Sequence, residues 1–407
     1  MPANQQSIRI GDLRKPVLTD AMRRTIDDAA RNPVDLTEDA VLSSARQLTG
    51  LTDFGPDTFR AGLRSQLAGT TGTPLDRAEM FRSVVRNLVI RLRFYDLLGR
   101  HPEILDRKIE KPIIIVGPSR SGTTYLQGTL AADSRLRSLR LREAAEPFLP
   151  AGGAPAAKGG VMWSVSDDGQ NKSSIVLPGV RTDLLPHLAS ILQLGPDDVA
   201  QENMLMDSNF PIDDEDQAPH YAYLATMLKA LQWQRGPDRW VLKAPMHCEY
   251  IPLLLANFPD ATFVMTHRDP VAMVQSLATM FAYAARLRSS EVDVEAIFAA
   301  AADRIEGMLR ARMRDRSLIA DDHVVDVLFH EFTADQLSAV REIYDAAGLT
   351  VTDELSENIA AFNAEHRRYR RQRIVHDLRA DFGVEPEELR ERFDFYYQRH
   401  PVRFEVR

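Results

Sequence analysis

The sequence predicts an α/β fold, with a central parallel sheet flanked by helices and a helical N-terminal portion before it. Three observations lead there. Four short apolar runs, PIIIV at 112–116, WVLK at 240–243, TFVMT at 262–266 and VVDVLF at 324–329, have the pattern of strands buried on both faces. Helical stretches, such as 221–231 and 295–313, separate these runs, and strands alternating with helices imply parallel pairing. The first hundred or so residues instead read as helix. From Glu79 to Gly99 the apolar residues Phe81, Val84, Val85, Leu88, Leu92 and Tyr95 keep helical spacing, and Gly99 stands where a C-cap belongs. Residues 1–110 are therefore expected to form a helical portion packed on the core, and 111–407 the α/β domain.

Composition narrows the functional classes. With 407 residues and 44% hydrophobic content, a core of normal size can form without disulfide or metal staples. The single cysteine, Cys248, excludes an internal disulfide and fits a reducing cytoplasm. The opening MPANQQSIRIGDLRKP has no apolar stretch, so no secretory signal is expected, and no run reaches transmembrane length. A formal net charge of −8 argues against a nucleic-acid or membrane-surface partner, so any anionic ligand must be held by local positive charge. The Gly-, Ala- and Ser-rich stretch 151–178 reads as a loop, and the acidic stretch 213–216 as a solvated one.

The strongest local signal is IIIVGPSRSGTTYLQGTL at 113–130. A buried strand enters a glycine-bearing turn and then an apolar helix, which is how backbone N–H groups at a helix N-terminus come to hold a phosphate. Gly117 and Gly122 have Walker A spacing and Thr124 its hydroxyl position, but Thr123 replaces the Walker lysine and the positive charge has moved to Arg120. A nucleotide hydrolase needs that lysine on its β- and γ-phosphates. The core is thus expected to be P-loop-like, binding an anion without a γ-phosphate.

With these residues in hand, the chain resembles the bacterial branch of the sulfotransferases that use 3′-phosphoadenosine 5′-phosphosulfate (PAPS). GPSRSGTT is similar to their 5′-phosphosulfate loop, which implies Arg120, Ser121, Gly122, Thr123 and Thr124 as ligands. The family's second motif is an arginine at a strand end and a serine eight residues later, held to bind the 3′-phosphate. TFVMTHRDPVAMVQSL supplies Arg268 and Ser276 at that spacing. Further similar stretches lie at 51–60, 91–104, 240–247, 324–332 and 381–393. The resemblance implies sulfuryl transfer to a hydroxyl of a small-molecule, lipid or glycan acceptor, release of 3′-phosphoadenosine 5′-phosphate (PAP), and no metal. The helical N-terminal portion and 151–209 are expected to shape the acceptor site, and self-association is left open.

In-line sulfuryl transfer needs a base, cations near the bridging oxygen and a fixed donor. The resemblance implies Arg120 and Lys243 as the cations, since the family carries a lysine at the end of that strand. For the base, one branch of the family uses a glutamate a little over twenty residues after the loop's basic residue. Glu143 lies twenty-three residues after Arg120, with Glu146 nearby. The other branch uses a histidine two residues beyond the lysine, where this chain has Pro245; His247, two residues further, is the alternative. A C-terminal basic segment closes the family's site. The run Arg367, Arg368, Arg370, Arg371, Arg373 is its counterpart here, with Arg371 and Arg373 chosen although the usual Arg-Lys-Gly form is absent.

Two motifs mislead. HRDP at 267–270 and DFG at 381–383 imitate protein-kinase signatures, yet Val274 stands where the kinase asparagine belongs, and the DFG opens what reads as a terminal helix. His247-Cys248-Glu249 lacks the spacing of a helical metal pair and reads as structural. The rival functions are a P-loop nucleotide kinase or hydrolase, disfavoured by the missing lysine, and a non-catalytic PAPS or nucleotide binder.

Overall fold

A computed structural model describes residues 6–9, 13–18, 20–70, 72–148, 199–206, 216–236, 239–285, 289, 291–369 and 372–407; for 6–9, 21–22, 142, 367–369 and 372–374 it describes the backbone alone. The strands are β1 (Gln6–Arg9), β2 (Ile113–Val116), β3 (Leu136–Ser138), β4 (Arg239–Lys243), β5 (Thr262–His267), β6 (Val324–Leu328) and β7 (Gln372–Val375). Five make one parallel sheet in the order β3-β4-β2-β5-β6, and β1 pairs with β7 in a separate two-stranded parallel ladder. The fold class expected from the alternation is the one observed.

The four apolar runs are strands β2, β4, β5 and β6. The first three are buried along nearly their whole length, as parallel strands covered on both faces must be. On one face Ile113, Ile115, Val241, Val264 and Val327 pack against Leu126, Phe332, Val340 and Tyr344 from the helices Thr123–Leu130, Phe329–Ala334 and Gln336–Ala347. Strand β3 has only three residues and the sequence LRS, too short and too polar for a periodicity signal. Strand β7 takes up the end of the basic run, at Arg373. The helix Asp353–Tyr369 carries only the first part of that run.

The chain divides into two compact units. One comprises residues 1–17, 110–138 and 237–407 and contains both sheets; the other comprises 18–109 and 139–236. The described residues of 139–236 fall in the same unit as those of 18–109. Among the described residues of that second unit the longest helix is Pro74–Arg100. Thr73 caps it in a reciprocal box with Asp76, and Pro74 occupies its first turn, where no N–H is needed. Gly99 lies inside this helix, and the C-cap is His101 instead. The reason is Pro102, whose ring bars His101 from helical backbone. The helix packs Val84, Val85, Leu88 and Leu92 against Val41, Leu42, Phe54, Phe59 and Leu63.

The DFG tripeptide also differs from expectation. It closes a helix instead of opening one: Asp377 caps Leu378–Phe382, and Gly383, at φ 71°, ends it in the left-handed region. Stretch 151–178 and residues 213–215 lie outside the described residues. Among those described, no helix is long and apolar enough to cross a membrane.

Candidate active site

The site is built where β2, β4 and β5 end side by side, in the unit that holds the sheet. Strand β2 delivers the chain to Gly117. A Cβ there would lie 1.9 Å from Thr266 Oγ1 and 2.8 Å from Thr123 Cγ2, so only glycine lets the loop fold this closely over β5. Ser121 Oγ donates to the Pro118 carbonyl (2.7 Å). Its one proton being used, Ser121 Oγ accepts from Thr266 Oγ1 (2.7 Å). The loop is thereby tied to β5 by side chains as well as by packing.

Two residues of the loop adopt left-handed backbone: Arg120 at φ 70° and Gly122 at φ 92°. For arginine this conformation is strained, and such strain concentrates at functional turns. Gly122 is the N-cap of Thr123–Leu130 and offers no side-chain acceptor to the first-turn N–H groups. That helix end is positive and its donors face whatever follows the turn, which suits an anion. A Cβ at Gly122 would meet the Phe329 ring at 2.5 Å, so the turn is also closed from the side of β6.

Lys243 ends β4 and sits in register with Ile115 of β2. Its side chain is 1% exposed and its Nζ donates to Thr124 Oγ1 (3.2 Å), bringing an ammonium to the first turn of the loop helix. Arg268 follows β5. It donates from Nη1 to the Arg120 carbonyl (2.7 Å) and lies over the Phe329 ring at 4.2 Å. Arg120 in turn donates from Nε to Ser276 Oγ (2.9 Å), on the helix Pro270–Ala285. The two sequence motifs, more than 140 residues apart, thus bond one another.

Beside this junction lies a cavity of about 640 Å³, lined among others by Arg268, Gln275, Ser276, His376 and Arg379. Its rim carries Glu405, whose carboxylate takes Arg268 in a fork, with Nε at 2.8 Å and Nη2 at 2.6 Å. The tail holding Glu405 is itself fixed. The Glu405 N–H donates to Asp269 (2.7 Å), Tyr397 OH donates to the same carboxylate (2.5 Å), and Phe404 stands edge-on to Tyr397.

The structure therefore brings together Arg120, Ser121, Gly122, Thr123, Thr124, Lys243, Arg268 and Ser276. Glu143 belongs to the other unit, at the helix Leu141–Ala145. Its carboxylate accepts from the Arg140 N–H (3.0 Å) and from Arg235 (2.8 Å). Glu146 is half-buried in the same unit. His247 is fully buried in the turn Pro245–Glu249, beside an equally buried Cys248 whose thiol burial pushes up to about 12. Glu249 of that turn pairs with Arg304 (2.6 Å), and among the described residues no cluster of three or more His, Cys, Asp or Glu could hold a metal. Arg371 lies outside the described residues, and Arg373 lies in β7 with its side chain undescribed. Sequence reasoning missed Thr266, Phe329, Glu405 and the cavity residues His376 and Arg379. Thr266 and Phe329 stand in stretches already singled out, at 262–277 and 324–332, but received no role there; Glu405, His376 and Arg379 stand in neither motif.

Comparison with known proteins places this geometry. No curated protein matches the chain. Among solved structures it is similar to sulfotransferase STF9 from Mycobacterium avium, with 22% identity and a TM-score of 0.71 over 92% of this chain and 99% of that one. It is also similar to sulfotransferase STF1 from Mycobacterium tuberculosis, with 24% identity and a TM-score of 0.67 over 88% of this chain and 98% of that one. At these identities the likeness is one of fold. The sequence model of the sulfotransferase family matches residues 112–353, more than half of the chain and the whole stretch from β2 to β6, so the chain belongs to the sulfotransferase family.

Proposed function

We propose that the chain moves a sulfuryl group from PAPS to a hydroxyl of a small-molecule, lipid or glycan acceptor and releases PAP. The observation that carries this reading is the junction of the two motifs, Arg120 on Ser276 and Arg268 on the Arg120 carbonyl. PAPS bears its 5′-phosphosulfate and 3′-phosphate on one ribose, so its protein needs two anion sites at a short, fixed separation. The residues fit such a ligand. Gly117 and Gly122 leave no room for a Cβ at the turn, and the Glu405 carboxylate already stands on Arg268 where a phosphate oxygen pair would sit.

Bound PAPS supplies the activated sulfuryl group, with the 5′-phosphate of PAP as leaving group. The chain's part is to hold and to neutralise. First-turn N–H groups of the loop helix take the 5′-phosphate, and Lys243 and Arg120 set positive charge at the bridging oxygen, where it grows in the transition state. Arg268 and Ser276 take the 3′-phosphate, helped by Arg371 and Arg373 from the basic run. Glu143 is our proposed base, with His247 and Glu146 as its alternatives. The reaction calls on no metal, and a reducing cytoplasm suits the single buried thiol of Cys248.

Calorimetric titration with PAP and with adenosine 5′-phosphate tests the donor. PAP should bind far more tightly, and Arg268→Ala should weaken it about a hundredfold, the 2–3 kcal/mol typical of a charge-assisted phosphate contact. An affinity within threefold of the wild type would sink the assignment of Arg268. A melting-temperature shift with ATP and Mg²⁺ as large as that with PAP would favour a nucleotide hydrolase.

A further inference from the structure

Beneath the junction of the two motifs lies a guanidinium that the proposed chemistry does not use. Arg312, on the helix Val294–Asp315, is 1% exposed. Its Nη1 donates to the carbonyl of Thr266 (2.7 Å) and reaches the carbonyl of Val116 (3.4 Å). These carbonyls stand at the C-terminal ends of β5 and β2, adjacent central strands in which Val116 pairs with Met265. The residue after Val116 is Gly117, where the phosphate loop begins, and two residues after Thr266 is Arg268. A single nitrogen therefore ties together the two points from which both anion-binding motifs spring.

The other half of the fork is also fixed. Nη2 lies 3.2 Å from His267 Nδ1 and 3.3 Å from the Tyr396 hydroxyl. Arginine only donates, so His267 Nδ1 accepts and carries no proton. Tyr396 OH, at 2.9 Å, donates to the same nitrogen, and the Nε2–H donates to Asp326 (2.7 Å). His267 is thus the neutral Nε2–H tautomer, in keeping with a pKa that burial, and then the Arg312 charge, lower to about 3. Among the described residues the hydrogen bonds of Arg312 go to two carbonyls, a phenol and an imidazole, and none to a carboxylate. A buried guanidinium with no carboxylate bonded to it is costly to desolvate, and here its donors are spent on the ends of two strands.

We infer that Arg312 is a positioning residue, holding the 117–124 loop and Arg268 at the separation that a ligand with two phosphate groups requires. This rests on the donor reading above. Arg120 and Arg268 link the same segments, but through side chains that must themselves engage the ligand; Arg312 fixes them from beneath and touches no ligand. A rigid ligand gains from both of its ends only when the two sites are preset to its span. Loosening that span penalises a two-ended ligand while leaving a one-ended ligand its single site.

The test compares PAP with adenosine 5′-phosphate on wild-type protein and on Arg312→Met, by calorimetry, with melting in buffer as the check on folding. The expected result is at least a tenfold loss of PAP affinity with adenosine 5′-phosphate within threefold of wild type. Equal losses for both nucleotides, or PAP within threefold, overturn the role of Arg312. A wild type that binds PAP no better than adenosine 5′-phosphate overturns the donor reading, and this inference with it. Should Arg312→Met not fold, Arg312→Lys takes its place, since an ammonium cannot span the whole fork. PAP at least threefold weaker with adenosine 5′-phosphate unchanged supports the inference, and unchanged PAP overturns it.

Discussion

Glu143 and His247 stand in different surroundings, and the difference decides how the proton-transfer question is tested. Glu143 has a guanidinium and a backbone N–H on its carboxylate, while His247 is fully buried. If Glu143 takes the acceptor proton, Glu143→Gln should keep PAP binding and lose turnover about a hundred- to ten-thousandfold, because the amide keeps shape and loses basicity. His247→Ala should then cost far less in rate. A single-turnover assay isolates chemistry from PAP release. Near-wild-type rates for Glu143→Gln with an inactive His247→Ala would make His247 the base. Activity in both would pass the role to Glu146 and remove the spacing from Arg120 as a guide.

At the scale of an element, the tail beyond the helix Asp394–Tyr397 is ordered by its own contacts. Phe404 packs on Tyr397, the Arg390 guanidinium lies 4.8 Å from the Phe404 ring, and the Glu405 N–H and carboxylate reach Asp269 and Arg268. The 3′-phosphate proposed for Arg268 would meet a fork whose Nε edge Glu405 already holds. Binding must break that pair, whose members are about three-quarters buried, so its loss should be felt. Glu405→Gln should therefore bind PAP about five- to tenfold more tightly, on the order of 1 kcal/mol, and leave adenosine 5′-phosphate unchanged. Weaker PAP binding in Glu405→Gln would mean that the carboxylate preorganises Arg268 instead of competing for it.

For the whole molecule, the neutral state of His267 has a consequence for acid stability. Its folded pKa is about 3, against an ordinary value of 6.5 that the unfolded chain recovers. Between these values the unfolded state binds the extra proton. The stabilisation is complete above pH 6.5 and is lost as pH falls towards 3, at about 1.4 kcal/mol per pH unit. His400, lowered to about 4 by burial and then by Arg312, adds in the same direction, less because it is partly exposed to screening solvent. Urea unfolding at pH 6.5 and at about pH 5.5 should show a loss in wild type that exceeds the loss in His267→Gln by about 1 kcal/mol, the His400 share remaining in both. The same loss in both proteins would refute the neutral, buried imidazole.

What the sequence determined by itself was local. Short apolar runs marked β2, β4, β5 and β6; β2, β4 and β5 are buried on both faces as such runs imply, whereas β6 pairs only with β5 and leaves Asp326 exposed. The glycines of the phosphate loop were legible because a tight turn admits little else, and Arg268 and Ser276 were singled out by the resemblance to the family's second motif. Tertiary structure decided the rest. Strand β3 exists through its pairing with β4, not through any pattern in its three residues, and β7 depends on β1, more than 360 residues earlier. The meeting of Arg120 with Ser276, of Arg268 with Glu405 and of Arg312 with Val116 joins residues 156, 137 and 196 positions apart. Periodicity and spacing report only what a chain does within a few turns of itself. A hydrogen bond between distant residues is set by where packing leaves two strand ends, and that is a property of the assembled sheet.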